Sequence, residues 1–530
     1  MQIVIPMSGF GERFRKKGYS LPKPLIKVDG RPIIEYIVNM FSQDDDFIFI
    51  CNEDHLRNQS YGMNNVLSKL CPNYKILSIQ PHNEGPVGAV LKVLDHLSME
   101  EPTIVNYCDF TCDWNYDDFK SFIHKGNFDG VIPCYKGFHP HTLWSNYYAY
   151  VKEKKSIAID IQEKEPFTNS PTDEFASSGT YYFKTGKLVK KYFQKCVDLS
   201  LLVNNEYYVS MTYKPMIQDD LKVGIFELNH FMQWGTPEDL NDYLYWSNSF
   251  RLLTNVTPRL VMDGITVVPM AGNGSRFLNE GYTLPKPLIN VSSKPMAVQA
   301  INDLPQTDEY KFIIRSDNLE FQNLKRSLVD NYPNAQIISI DKATNGQATT
   351  CYIALEKDNL NSIVTIAPCD NGALYEEKKL SELLNDEEID VVVWGIRGYP
   401  GAIRSPNMYG WIDLENDTNK IKGVSVKKPL KNVENDPIVI GSFTFKKNKY
   451  FIESYNRMIE DNGLINNEYY VDNVINYAIK QGLNCYFFEI ESYLCWGTPN
   501  DLKTFNYWQD CFSGWKFHDY SIAKDANFKK

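Results

Sequence analysis

The sequence lacks most of what would send a chain out of the cytosol. No apolar run approaches the roughly 18 residues a membrane-crossing helix needs. No hydrophobic leader follows Met1 either, since Gln2-Ile3-Val4-Ile5 soon gives way to Glu12 and Arg13. The 11 Cys are scattered with no Cys-x-x-Cys pair, so reduced thiols are expected. Positive charge is also short. A formal net charge of -11 argues against nucleic-acid and anionic-membrane partners, which demand a basic face. A local basic pocket for a small phosphorylated ligand is compatible with that balance. The expectation is a soluble, cytoplasmic protein, with homo-oligomerisation left open.

What is present is large and ordinary in its bulk. At 530 residues the chain exceeds one hydrophobic core, so several domains are expected. Aromatic residues at 14%, including 34 Tyr, point to packed cores and aromatic-lined clefts.

The chain then repeats itself. Residues 3–26 read IVIPMSGFGERFRKKGYSLPKPLI and residues 266–289 read TVVPMAGNGSRFLNEGYTLPKPLI, an offset of 263. The hexapeptide Asn204-Asn-Glu-Tyr-Tyr-Val209 recurs as Asn466 to Val471, and Trp234-Gly-Thr-Pro237 as Trp496-Gly-Thr-Pro499. A nearly constant offset means a duplicated domain. Two domains are expected, 1–255 and 262–530, joined in the irregular stretch 251–264. Within each copy, short apolar runs end at glycine-rich loops and alternate with helical patterns. That predicts α/β domains with mostly parallel central sheets and helices on both faces, and such sheets bind ligands at the carboxyl ends of their strands.

The chemistry-bearing loops fall there. Gly9-Phe10-Gly11-Glu12-Arg13 and Gly272-Asn273-Gly274-Ser275-Arg276 each follow a strand, so backbone N–H groups can crowd a phosphate while Arg supplies a charged fork. Ten residues on, Leu-Pro-Lys-Pro-Leu presents Lys23 and Lys286 from a proline-stiffened segment. A lone loop of this kind would equally suit a tight turn with a surface Arg.

Together, G-x-G-x-R followed by P-K-P-L resembles the signature of the sugar-phosphate nucleotidyltransferases, or NDP-sugar pyrophosphorylases. The resemblance implies tandem Rossmann-like nucleotide-diphospho-sugar transferase domains that move a nucleotidyl group from an NTP to a sugar (or polyol) 1-phosphate. It implies that Arg13 and Arg276 hold the leaving end of the triphosphate, and that Lys23 and Lys286 reach the α-phosphate. Asp109 and Asp370, each at the end of a strand, match the family's metal Asp for Mg²⁺ (or Mn²⁺). The second metal Asp of relatives falls on Gln233 and Cys495 here; either one carboxylate with phosphates suffices, or Asp113 assists in the first copy.

Further site residues follow from the same resemblance. Lys164, in Glu163-Lys164-Glu165-Pro166, and Lys428, in Lys427-Lys428-Pro429, are the candidates for gripping the sugar's phosphate. Gly179 and Gly441 would let backbone approach the sugar ring, and Glu206 and Glu468 would accept its hydroxyls. The base loop is expected at Glu84-Gly85-Pro86-Val87-Gly88 and at Asn345-Gly346-Gln347, with Gln347 placed to bond a pyrimidine edge where the first copy has Pro86. His139 and His141, in the loop 137–146, read as hydrogen-bonding residues in a loop lining the sugar pocket rather than as metal ligands. Two sites, related but non-identical, would then make activated sugars for surface polysaccharide. Two alternatives stay open: one half is a regulatory pseudoenzyme, or the chain is a glycosyltransferase of the related fold.

Overall fold

The computed structural model describes residues 1–145, 148–255, 259–272, 274–317, 320–416 and 418–529. The chain divides into two compact units, Met1–Leu244 and Tyr245–Lys530. The division falls inside the helix Pro237–Leu252. No helix among the described residues is long and apolar enough to cross a membrane.

In the first unit the strand Gln2–Met7 is buried along its whole length. It pairs in parallel with Asp46–Asn52 on one side and Thr103–Asn106 on the other, and Tyr74–Ile79 extends the parallel set. Burial on both faces is why these segments read as unbroken apolar runs rather than as alternation.

Beyond Asn106 the ten-stranded sheet becomes mixed. Thr180–Phe183 runs antiparallel to both Thr103–Asn106 and Gly130–Tyr135, while Val223–Glu227 returns parallel to Gly130–Tyr135. Further along the sheet, φ of 54° and 60° at Lys155-Ser156 closes a tight turn between Ala149–Lys154 and Ile157–Glu163. Two consecutive left-handed residues match the twist of a hairpin, so the strands fold back antiparallel.

The second unit repeats this order. Gln336–Ile340, Gln306–Arg315, Val261–Met270 and Val364–Ile366 form the parallel set. Ile438–Phe445 is the antiparallel insertion, followed by Val391–Ile396 and Cys485–Glu489. Each unit adds a two-stranded ribbon, Phe110–Asp113 with His230–Gln233 and Asn371–Leu374 with Ser492–Cys495. These ribbons carry the Asp-bearing loops to the carboxyl ends of the parallel strands.

Candidate active site

In the first unit the loops at the strand ends enclose a cleft of about 770 Å³. One wall is the glycine loop. Strand Gln2–Met7 ends there, and Gly11 caps the short helix Glu12–Lys16 with φ of 64°, in the left-handed region that favours glycine. Gly9, Phe10, Gly11 and Arg13 all line the cleft. Lys23 opens a single 3-10 turn between Pro22 and Pro24, and its Nζ donates to Asp109 Oδ2 at 2.7 Å.

The opposite wall is built around Lys164. Its backbone is left-handed, φ 62°, and its Nζ donates to Tyr208 Oη at 2.6 Å, which in turn donates to Glu206 Oε2 at 2.6 Å. Burial lowers the Lys164 ammonium; Glu163 and Glu206 oppose that, and Arg13 adds to it. Arg13 and Lys164 therefore feel each other in one cleft, an arrangement that favours an anion between them. Gly179, φ 98°, lies against Tyr107 and Phe110, where a Cβ would come within 3.1 Å of both.

The base loop is placed less simply. Gly85 lines the cleft, but Glu84 pairs with Lys92, and its side chain fills the space beside Gly88. Neither Glu84 nor Gly88 lines the cleft, which corrects their expected nucleotide contact. Helix Gly85–Leu91 begins where Glu84 turns outward, and Gly88, on its inner face, is buried beneath that side chain.

Sequence reasoning missed several residues that line the cleft. His82 Nδ1 accepts from the Glu84 N–H at 3.2 Å, so the neutral ring carries its proton on Nε2, 3.2 Å from Ser8 Oγ. Burial and nearby Lys92 lower its pKa. Glu163 is half-buried, accepts from Ser210 Oγ at 2.5 Å, and is pushed up by desolvation to about 7. Asp239, in the first turn of the helix Pro237–Leu252, is also pushed up by burial to about 7; it accepts from Thr236 Oγ1 and its N–H donates back to that oxygen.

Asp113 is not part of this set. It pairs across the ribbon with His230, at the far end of the strand from Asp109, so the idea that it assists the metal is set aside. The loop expected to line the pocket contributes Ser145, whereas His139 and His141 pack among Tyr135, Tyr148 and Phe231. His141 Nε2 lies 2.9 Å from Tyr135 Oη.

The second unit holds the matching parts. Lys286 pairs with Asp370, and its Nζ also donates to the Gly497 carbonyl at 2.9 Å. Burial alone would lower this ammonium, but Asp370 and neighbouring Cys369 more than offset it, and its pKa is raised. Gly272 and Gly274 (φ 59°) flank Asn273, which lies outside the described residues, and Arg276 is exposed on the helix Ser275–Asn279. Gln347 opens the helix Gln347–Leu355 behind Gly346, φ 123°. Gly441, φ 88°, sits over Pro368, and Glu468 accepts from Tyr470.

One expectation shifts by a residue. Lys427, not Lys428, has the left-handed backbone of Lys164, with φ of 52°, and its Nζ lies 5.3 Å from the centre of the Tyr470 ring. Lys428 is exposed. The pattern that aligns is Lys-x-Pro, because the left-handed turn places the lysine before the intervening residue.

Among the described residues no group of three or more His, Cys, Asp or Glu gathers to hold a metal. In the first unit a Cβ at Gly235 would lie 2.8 Å from Gln233 Nε2 and 3.3 Å from Asp109 Oδ2, so amide and carboxylate converge. One carboxylate and an amide, completed by substrate phosphates, fit a hard cation such as Mg²⁺. In the second unit the corresponding point at Gly497 is 3.5 Å from both Asp370 Oδ2 and Cys495 Sγ. A buried thiol held protonated is a poorer partner for Mg²⁺.

Residues 3–158 match the MobA-like NTP transferase domain. The bifunctional protein GlmU of Methanococcus aeolicus is 24% identical over 243 residues, 46% of this chain and 53% of that protein. GlmU of Methanocaldococcus jannaschii is 22% identical over 273 residues, 51% of this chain and 60% of its own. The chain thus spans between half and two thirds of the length of these curated relatives. A nucleoside-diphosphate-sugar pyrophosphorylase from Vibrio cholerae matches at TM-score 0.39 and 20% identity, covering 46% of this chain and 99% of that one. An inositol-1-phosphate CTP transferase from T. maritima matches at TM-score 0.37 and 11% identity, covering 49% and 99%. The domain match thus places an NTP transferase domain of MobA-like type at residues 3–158.

Proposed function

With an NTP transferase domain over residues 3–158 as the premise, we propose that the first unit transfers a nucleotidyl group from an NTP to a sugar or polyol 1-phosphate, and that the second unit carries a similar but non-identical site. The observation that carries this reading is the single 770 Å³ cleft with two cationic walls, Arg13 and Lys23 on one side and Lys164 on the other. Two phosphorylated substrates need two such walls.

An oxygen of the acceptor's phosphate attacks the α-phosphorus. A new P–O bond forms there as the bond to the β-phosphate oxygen breaks, and pyrophosphate leaves with the electron pair. The nucleophile is already an anion, so position and charge neutralisation matter more than a base. In this reading the glycine loop and Arg13 take the leaving phosphates, Lys23 the α-phosphate and Lys164 the acceptor's phosphate. Glu206 and Tyr208 face the acceptor's hydroxyls. Asp109 and Gln233 would hold the cation, whose chemistry when bound is neutralisation of phosphate charge. In the second unit Lys286, Arg276, Lys427 and Asp370 take the corresponding roles. An activated sugar of this class suits surface polysaccharide synthesis, the use we propose for it.

Pyrophosphate release across a panel of NTPs and sugar 1-phosphates tests the proposal. Lys23→Ala and Lys286→Ala are each expected to remove a separate activity. If either variant alone removes all turnover, the two-site reading fails; if no substrate pair is turned over by the intact chain, the reaction class fails. A second reading, with turnover in the first unit only, is favoured by one observation, the thiol of Cys495 beside Asp370.

A further inference from the structure

The two units differ in where they keep a half-buried acid. In the first, Glu163 ends the strand Ile157–Glu163 and precedes the left-handed Lys164; Ser210 bonds it from the turn that follows Tyr208. In the second, the residue before the left-handed Lys427 is Val426, which has no charge to offer. Yet the position of Ser210 is taken by Asp472, the second residue after Glu468-Tyr469-Tyr470, at the start of helix Val471–Lys480. Asp472 is half-buried and its carboxyl is pushed up to about 6, with Lys427 pulling the other way.

A third position changes with these two. Ala149 of the first unit corresponds to Gly410 of the second, and a Cβ at 410 would sit on an Asp472 carboxylate oxygen. Glycine makes the room that Asp472 occupies. Glu163, Ser210 and Ala149 thus become Val426, Asp472 and Gly410, three differences that make sense only together. A buried carboxyl is costly unless it has a partner, so its loss at one position and reappearance at the other marks a requirement rather than drift.

We infer that Asp472 is the positioning carboxylate of the second unit, supplying to Lys427 and its ligand what Glu163 supplies to Lys164, but from the helix start rather than from the strand end. The inference deepens the proposed nucleotidyl transfer and rests on it for the identity of the ligand, a polyhydroxylated phosphate monoester. A carboxyl reaching from the helix start rather than from the strand end meets a different hydroxyl of that ligand. The two units therefore select acceptors that differ in hydroxyl placement.

Trace acetylation of the full-length chain with acetic anhydride, read lysine by lysine by mass spectrometry, tests the placement without needing turnover. Asp472→Asn keeps volume and is expected to speed labelling of Lys427 about threefold, because the ammonium loses the Coulombic support of a nearby carboxylate. Lys164 serves as the internal control and is expected to keep its rate. Adding Val426→Glu to Asp472→Asn is expected to slow Lys427 again. Unchanged labelling in Asp472→Asn, or no slowing by Val426→Glu, overturns the inference. Kinetics test the consequence. With the first unit silenced by Lys23→Ala, Asp472→Asn is expected to raise the KM for the sugar 1-phosphate about tenfold while the KM for NTP holds. A raised KM for both substrates would mark Asp472 as merely structural and overturn the positioning role. A labelling shift in a chain that turns nothing over would instead retain the placement of the acid and sink the nucleotidyl reading.

Discussion

Single residues decide how the two walls of the cleft are joined. The Glu206-Tyr207-Tyr208 segment is tied to the base loop through backbone alone: Tyr207 N donates to Glu84 O at 3.2 Å, and Val87 N donates to Tyr207 O at 3.2 Å. Gly85 permits this, since a Cβ there would come within 2.9 Å of both the Tyr207 nitrogen and oxygen and φ is 74°. Gly85→Ala is expected to cost about 1–3 kcal/mol, the range for a strained left-handed residue. It should also raise KM for both substrates of the first unit together, which steady-state kinetics would check. A change confined to one substrate would mean the walls are not coupled here.

A second prediction at this scale concerns acid. Burial pushes His139 down to about 4 and His141 well below the ordinary range. An unfolded imidazole takes its proton near pH 6.5, so between about pH 6.5 and 4 the unfolded state binds more protons than the folded one. Stability attributable to these histidines is present above that window and lost as pH falls through it. His141→Phe should shrink the drop in Tm between pH 7.5 and pH 5; an unchanged drop would refute it. The glycines, Lys23, Lys286, Asp109 and Asp370 were legible because spacing alone marks them. His82, Glu163 and Asp472 were not: His82 sits in unremarkable sequence, and Glu163 and Asp472, though beside recognised motifs, gain meaning only from a wall contributed by another element.

At the scale of elements, the helix Pro499–Gly514 is coupled to the second site through its first turn. Thr498 and Asp501 form a reciprocal capping box, and the adjacent Gly497 carbonyl accepts from Lys286. Thr498→Ala is expected to lower stability by about 1 kcal/mol, typical of a lost cap, and to reduce second-unit turnover more than first-unit turnover. Denaturant melts and paired assays would check both. Strand and helix alternation foretold the parallel set of each sheet. The hairpin of the first unit was hidden because its cue, two left-handed residues at Lys155-Ser156, carries no glycine or asparagine to announce it. The same blindness shifted Lys428 onto Lys427: backbone handedness, not composition, fixes which lysine turns inward.

Across the whole molecule the two units share a strand order but not their donor atoms. Gln233 beside Asp109 offers an amide where Cys495 beside Asp370 offers sulfur. The ratio of activity in Mn²⁺ to activity in Mg²⁺ is therefore expected to be higher for the second unit, since softer donors favour the later metal. Equal ratios in the Lys23→Ala and Lys286→Ala chains would contradict this. The duplication was readable from the offset of 263, but the divergence of donors was readable only once the ribbons had brought Asp370 and Cys495 side by side.

Both units also rest with the lysine paired to the aspartate, Lys23 to Asp109 and Lys286 to Asp370. A bare cation arriving at the carboxylate would strand an ammonium, and a bare polyphosphate drawing off the ammonium would strand a carboxylate. Only a cation and polyphosphate arriving as one chelate let both partners trade at once with no charge left over. Under the proposed transfer the resting ion pair would act as a coincidence detector, one in each half of the chain.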